Sequence, residues 1–237
     1  KELNINQLDI ADLTGIEDFI ALKNLEVNNN NLSSLNVATN INLISLSSSK
    51  NLISDINLTN NLNLETLLIN NNNITDLNIL NNSNLTTINC SNNPLNSFKL
   101  PVNSNVDDLY IQSTLISELD LRNQNRLIST STSFLEIQNN TNLTCVYVDD
   151  VNKYTVDTFN VIIKDSSTTF VENEAACISQ SCTILVDNLS DIVAFNTYTL
   201  PKLANGKYYT ENKGKGSQLF EGEIINNTQI IYIYNEN

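Results

Sequence analysis

Residues 43–63 read LISLSSSKNLISDINLTNNLN, residues 64–84 LETLLINNNNITDLNILNNSN, residues 85–105 LTTINCSNNPLNSFKLPVNSN and residues 106–121 VDDLYIQSTLISELDL. Leu43, Leu46 and Ser48 recur 21 places on as Leu64, Leu67 and Ile69, then as Leu85, Ile88 and Cys90, then as Val106, Leu109 and Ile111. A second set keeps the same beat. Ile53, Ile56 and Leu58 become Ile74, Leu77 and Ile79, then Leu95, Phe98 and Leu100, then Ile116, Leu119 and Leu121.

A fixed period in the range of about 20 to 30 residues carrying L-x-x-L-x-L-x-x-N-x-L marks a leucine-rich repeat solenoid. The expected fold is therefore a solenoid of 21-residue turns, β-rich with little helix, followed by a small all-β C-terminal domain. The first apolar pair of each turn alternates with polar residues and predicts a short strand, and stacked turns pair these strands into a parallel sheet. The second pair, Leu35/Val37, Ile56/Leu58, Leu77/Ile79, Phe98/Leu100 and Leu119/Leu121, alternates too and predicts a second short strand. Each inward aliphatic side chain contributes roughly 1.5 to 3 kcal/mol when buried. No turn buries its own face without neighbours.

Asparagine is the commonest residue in the chain. It too falls in columns: Asn30, Asn51, Asn72 and Asn93; Asn40, Asn61, Asn82 and Asn103; Asn42, Asn63, Asn84 and Asn105. At the bends of a solenoid the backbone leaves sheet geometry, and its N–H and C=O groups need partners. An amide side chain donates and accepts at once, so these columns are expected to bridge successive turns. Asn also tolerates left-handed backbone, which suits a bend.

Composition narrows the function. The 237-residue chain carries 26 acidic against 12 basic residues, a net charge of -14, which argues against phosphate-backbone binding and so against nucleic acid. No run approaches the length of a membrane span. The absence of His removes Ser-His-Asp and Cys-His catalysis and any histidine-ligated metal centre, leaving carboxylate chemistry. No cofactor is expected. The first residue is Lys1, with no Met and no apolar leader, which fits a mature secreted form or an excised fragment.

Upstream, Leu3 and Ile5 precede Leu25 and Val27 by 22. Between them Ile16, Phe19, Ile20 and Leu22 have helical spacing, with Thr14 as a candidate cap and Glu17 in capping-box position. This stretch resembles the opening turn of internalin-like repeats. Downstream the pattern weakens. Leu127, Thr130 and Thr132 keep phase, but Leu135 and Ile137 follow Leu119 and Leu121 by 16, so this turn reads as five residues short. Leu143, Val146 and Val148 then supply the last strand, and residues 154–163 read as a short helix closing the core.

The run Asn142-Leu143-Thr144-Cys145-Val146-Tyr147-Val148-Asp149-Asp150, followed by Tyr154, Phe170, Glu174 and Cys177, resembles the end of repeat regions in secreted surface proteins of Bacteroidetes-type bacteria. The resemblance covers roughly residues 1–180. It implies an extracellular or cell-surface setting and an adhesive or binding role. Four cysteines fit that setting. Cys90 takes an inward position equivalent to Val27 and Ile69 and reads as a buried free thiol. A Cys145–Cys177 bridge would bracket the cap, and Cys177–Cys182 is the competing pairing.

The expected domains are the solenoid at 1–148, its cap at 149–182 and a small β-sandwich-like module at 183–237. The last resembles the β modules that follow repeats in the same surface proteins. Its strands are expected at 183–186, 198–200, 207–210, 219–221 and 230–234, with turns at Asn205-Gly206 and Gly214-Lys215-Gly216.

Residues between and beside the apolar pairs point outward from the first sheet. They are Asn24, Glu26 and Asn28; Ser45, Ser47 and Ser49; Thr66, Leu68 and Asn70; Thr87, Asn89 and Ser91; Asp108, Tyr110 and Gln112; Ser129, Ser131 and Ser133; then Tyr147 and Asp149. This extended face is the candidate binding surface. The expected function is a non-enzymatic, monomeric, surface or secreted module that adheres to a protein or glycan partner. Two other readings stay open. One is ice or crystalline-surface binding through hydroxyls such as those at 129–133. The other is polysaccharide cleavage by paired carboxylates, Glu118 with Asp120 or Asp107 with Asp108. Asp149, Asp150 and Asp157 could offer oxygen to calcium, although no known loop spacing is present.

Overall fold

The computed structural model describes residues 1–124, 126–127, 133–154, 161–181, 197–211, 214–226 and 229–234. The chain forms two compact units, Lys1–Ile178 and Ser179–Asn237. The first is a β-solenoid of about seven turns at about 22-residue spacing with very little helix.

Six strands open the chain: β1 (Glu2–Asn4), β2 (Asn24–Glu26), β3 (Ser45–Ser47), β4 (Thr66–Leu68), β5 (Thr87–Asn89) and β6 (Asp108–Tyr110). Then come β7 (Leu119–Asp120), β8 (Phe134–Glu136), β9 (Cys145–Tyr147), β10 (Val161–Ile163), β11 (Thr169–Val171) and the helix α1 (Glu174–Ser181). Among the described residues, β1 to β6, β8 and β10 make one eight-stranded parallel sheet, and β11, β9 and β7 make another of three strands. Leu3, Leu25, Leu46, Leu67, Ile88, Leu109, Leu135 and Ile162 stand in register across the large sheet. All from Leu25 to Leu135 are fully buried. The second columns, including Ile56, Leu77, Phe98 and Leu119, close the same core from the other side.

Those second columns do not make a strand in every turn. Of the set, Leu119–Asp120 (β7) is paired as a strand, against β9. Asn36, Asn57 and Asn78 each accept from the N–H two residues on through the side-chain oxygen, as Asp120 does in β7, so this local bond accompanies the column with or without a ladder partner.

The asparagine columns work as bridges. The side-chain nitrogen of Asn72 donates to Ser48 O and Ile69 O, both at 3.0 Å, and its oxygen accepts from Ile53 N at 3.0 Å. Asn30, Asn51 and Asn93 repeat the donor pattern one turn apart. Left-handed backbone lies one residue earlier than the amide ladder, at Asn29, Lys50, Asn71, Asn92 and Ser113, all with φ between 54 and 58. Asn40, Asn61 and Asn82 likewise donate to carbonyls of the preceding turn. That column passes to Ser104 instead of Asn103. Asn103 takes a left-handed φ and is exposed, while buried Ser104 hydrogen-bonds Gln124, which donates to Pro101 O.

Ser48 stands in the inward column among Val27, Ile69 and Cys90, and its buried hydroxyl has no hydrogen-bond partner among the described residues. An unsatisfied buried hydroxyl costs about 1 to 3 kcal/mol. Ser48→Ala removes it at nearly constant shape, so the variant is expected to melt higher, by about 1 kcal/mol in a denaturant titration.

Near Gly15 the short 3-10 helix Ile16–Asp18 is not capped by Thr14, whose hydroxyl donates to Asp12 instead. Gly15 stands at the cap with φ 99, a conformation open to glycine, and Glu17 reaches back to the Gly15 N–H. The weak turn after β6 is longer than its predecessors, not shorter: Leu109 pairs with Leu135, 26 residues on. Residues 155–160 lie outside the described residues, but Val161–Ile163 is a strand beside β8 and not the end of a helix. Helix appears later, as α1, where Cys177 bridges to Cys145. Tyr154 packs on Phe170 with ring centroids 4.7 Å apart, at the end of the core.

In the second unit β12 (Tyr198–Thr199) pairs antiparallel with β15 (Ile224–Ile225), and β13 (Lys207–Glu211) pairs with β14 (Lys215–Leu219) and β16 (Tyr232–Tyr234). Gly214, at φ 68, is a turn residue just before β14, Lys215-Gly216 opens that strand, and Gly222, at φ 83, serves the next bend, after Phe220 and Glu221. The strand expected at 183–186 lies outside the described residues, as does Cys182.

Candidate functional site

The outward face of the large sheet carries two rows fixed by strand register. One runs Asn24, Ser45, Thr66, Thr87, Asp108, Phe134; the other runs Glu26, Ser47, Leu68, Asn89, Tyr110, Glu136. Neighbours within a row are about 4.8 Å apart, the interstrand spacing. A third row just beyond the strands holds Asn28, Ser49, Asn70, Ser91 and Gln112.

Toward β1 the polar groups are spent on one another. Asn28 Oδ1 accepts from the Ser47 hydroxyl at 2.8 Å and from Ser49 N at 2.7 Å, and Asn70 Oδ1 accepts from the Ser49 hydroxyl at 2.6 Å. Glu26 accepts from Asn4 and Asn6. Ser47 and Ser91 are buried, which a strict outward reading of the strands does not anticipate.

Toward β8 the face changes character. Tyr110 and Phe134 stack with centroids 6.3 Å apart and planes 21° from parallel. Asp108 is in register with Phe134, and Glu136 with Tyr110, so carboxylate and aromatic alternate around a square. Asp108 is anchored: one oxygen accepts from Phe134 N at 3.1 Å, the other from the Thr87 hydroxyl at 3.4 Å. The Glu136 carboxylate makes no hydrogen bond or ion pair among the described residues, while its backbone oxygen accepts from Ile111 N at 2.9 Å. Burial, then the charges of Asp108 and Glu136, push the Tyr110 hydroxyl above its ordinary value.

Several expected members lie elsewhere. Tyr147 belongs to the three-stranded sheet: β9 pairs with β7 and β11, placing Tyr147 beside Asp120, under the Arg122 guanidinium at 5.3 Å. The physical reason is the long turn after β6, which puts β8 where β9 was expected. Asp149 accepts from Asn123 N at the same edge. Ser129 and Ser131 lie outside the described residues, and Ser133 is buried just before β8. Phe134 and Glu136 were missed. Their signal is legible afterwards: Leu135-x-Ile137-x-x-Asn140 repeats Leu67-x-Ile69-x-x-Asn72, and Asn140 donates to Ile111 O and Ile137 O as the ladder requires.

Of the carboxylate pairs, Asp120 is held by Arg122 at 2.9 and 2.5 Å, which keeps it below the usual carboxylate range, and Asp107 is held by Arg126. Asp150 accepts from Asn152, and Asp157 lies outside the described residues. Buried Cys90 has its thiol pushed up to about 12 by burial, so it packs as an inert hydrophobe. No helix among the described residues is long and apolar enough to cross a membrane.

No family model matches the chain, and no curated protein matches it. Among solved structures it is similar to the functional domain of InlJ from Listeria monocytogenes, which includes a cysteine ladder, at 22% identity and a TM-score of 0.56, covering 76% of this chain and 42% of that one. An internalin, InlF, from Listeria monocytogenes also matches, at 21% identity and a TM-score of 0.45, covering 71% of this chain and 46% of that one. The chain thus spans less than half the length of either. What the first likeness and the stacked strands establish together is the fold: a leucine-rich-repeat β-solenoid.

Proposed function

We propose that this chain is a non-enzymatic binding module of a bacterial surface or secreted protein, acting as a monomer outside the cell and holding a protein partner on the outward face of its large sheet. The observation that carries this reading is the Tyr110–Phe134 pair, two half-buried rings on a face that is otherwise mostly small and polar, with Leu68 the exception. Aromatic rings with hydrogen-bonding neighbours are what protein interfaces concentrate at their centres. The Cys145–Cys177 bridge suits an oxidising compartment. Asp120 and Asp107, each tied to an arginine, are poorly placed for acid–base work. A lattice-binding role is disfavoured because the face mixes Glu26, Leu68, Asp108 and Tyr110, and several of its hydroxyls are committed to internal bonds.

Tyr110→Ala is expected to reduce attachment to partner-bearing cells or to a glycan and protein array by about tenfold, as for a central anchor, while the melting temperature stays within a few degrees. Unchanged attachment would remove this face from the mechanism. A hit confined to glycans would change the partner class and leave the face.

A further inference from the structure

The strands of the large sheet present Glu2, Glu26, Asp108 and Glu136 outward and contain no lysine or arginine at all. An unpartnered face of one charge sign selects a partner of the other. The distribution sharpens this. Glu26 is occupied by Asn4 and Asn6, and the middle of the face is neutral. The square of Asp108, Phe134, Glu136 and Tyr110 is different, because there a carboxylate with no partner among the described residues stands directly across from an aromatic ring.

A planar cation suits such a place. A guanidinium lies flat on an aromatic face while its edge N–H groups reach a carboxylate in two parallel hydrogen bonds; an ammonium does the first less well and the second not at all. The raised Tyr110 hydroxyl is in keeping with this: burial raises it first, and the charges of Asp108 and Glu136 add to that.

We propose that the occupant of this face is a basic polypeptide segment that places an arginine on the Tyr110–Phe134 pair, its guanidinium held by Glu136 with Asp108 alongside. This rests on the reading of the sheet face as a protein-binding surface and names the chemistry of the partner. Asp108 is the fixed wall of the site, since its oxygens already accept from Phe134 N and Thr87, and Glu136 is the arm free to close on the ligand.

The test uses the full chain and a fluorescein-labelled Gly/Ser peptide with spaced arginines, beside the same peptide carrying lysines, read by anisotropy. Saturable binding of the arginine peptide is expected. Glu136→Gln and Tyr110→Ala should each weaken it by about tenfold, the worth of one charge-assisted or cation–π contact in a part-desolvated site. The control is Asp76→Asn, which removes the same charge from an exposed position outside the sheet and should change binding by less than about twofold. The lysine peptide should bind more weakly than the arginine one. Equal losses from Asp76→Asn and Glu136→Gln would show that the peptide follows net charge alone and would overturn the inference. So would equal binding of the two peptides, or none by either. If the arginine peptide fails while Tyr110→Ala still abolishes attachment to the natural partner, the binding face stands and the guanidinium site falls.

Discussion

Replacing both Cys145 and Cys177 by serine is expected to destabilise the first unit by about 4 kcal/mol, the loop-closure entropy that a bridge across 32 residues removes from the unfolded chain. The bridge ties β9 to α1, and its loop contains the short 3-10 helix Val151–Tyr154, β10 and β11, which cover the end of the core. Its loss therefore falls on the end of the solenoid first. Guanidinium titration of the oxidised chain against the double variant checks the size. Hydrogen exchange checks the place: protection should drop at β10 and β11 and hold at β3 to β5. A loss spread evenly over the sheet would mean that the end does not open separately.

Asn72→Ala is expected to cost about 2 to 3 kcal/mol. The substitution leaves Ile53 N without its acceptor inside the core and takes one of two amide donors from Ser48 O and Ile69 O, which keep Asn51 and Asn93 respectively. Each orphaned buried group costs about 1 to 3 kcal/mol, partly recovered where another donor is near. Asn84→Ala is the comparison. Asn84 also bonds a carbonyl of the preceding turn, Leu62 O at 3.0 Å, but at an exposed edge where water can replace it. That variant should cost under about 0.5 kcal/mol. Similar effects from the two would mean that the asparagine columns act through backbone propensity and not through buried hydrogen bonds.

The two variants also explain why some of this molecule could be read directly from its residues. In a solenoid the neighbour across the sheet is the residue one period away, so a repeat in sequence is a contact map. Leu46, Leu67 and Ile88 had to stack, and Asn51, Asn72 and Asn93 had to meet the carbonyls of the turn before, because no other arrangement buries the first set or satisfies the second. Where the period held, the inward columns agree with the reading, while among the described residues the second columns form a strand only at Leu119–Asp120 and the Asn40 ladder ends on Ser104 instead of Asn103.

The period failed in one turn, and the errors follow from it. A reading that extends the 21-residue beat past Leu121 lands on Thr130 and Thr132 and treats Leu135 as a second-column residue. The structure instead lengthens the turn and places Leu135 beside Leu109. With that step, Cys145–Tyr147 moves into the smaller sheet beside Leu119–Asp120, and Tyr147 leaves the face it was assigned to. The helical readings departed for a different reason, although a short 3-10 helix does lie at Ile16–Asp18. Gly15 takes the cap that Thr14 was given, and Val161–Ile163 joins a sheet edge already formed by β8, since an open ladder outweighs a weak helical pattern in three β-branched residues.

The sequence by itself determined the solenoid, the inward columns and the amide ladders, because each depends only on residues one period apart. Tertiary structure alone decided that Phe134 and Glu136 stand against Asp108 and Tyr110. That neighbourhood spans the irregular turn, and how many residues loop out before the chain rejoins the sheet is fixed by which strand buries its apolar side chains and pairs its backbone, not by any local pattern in the loop.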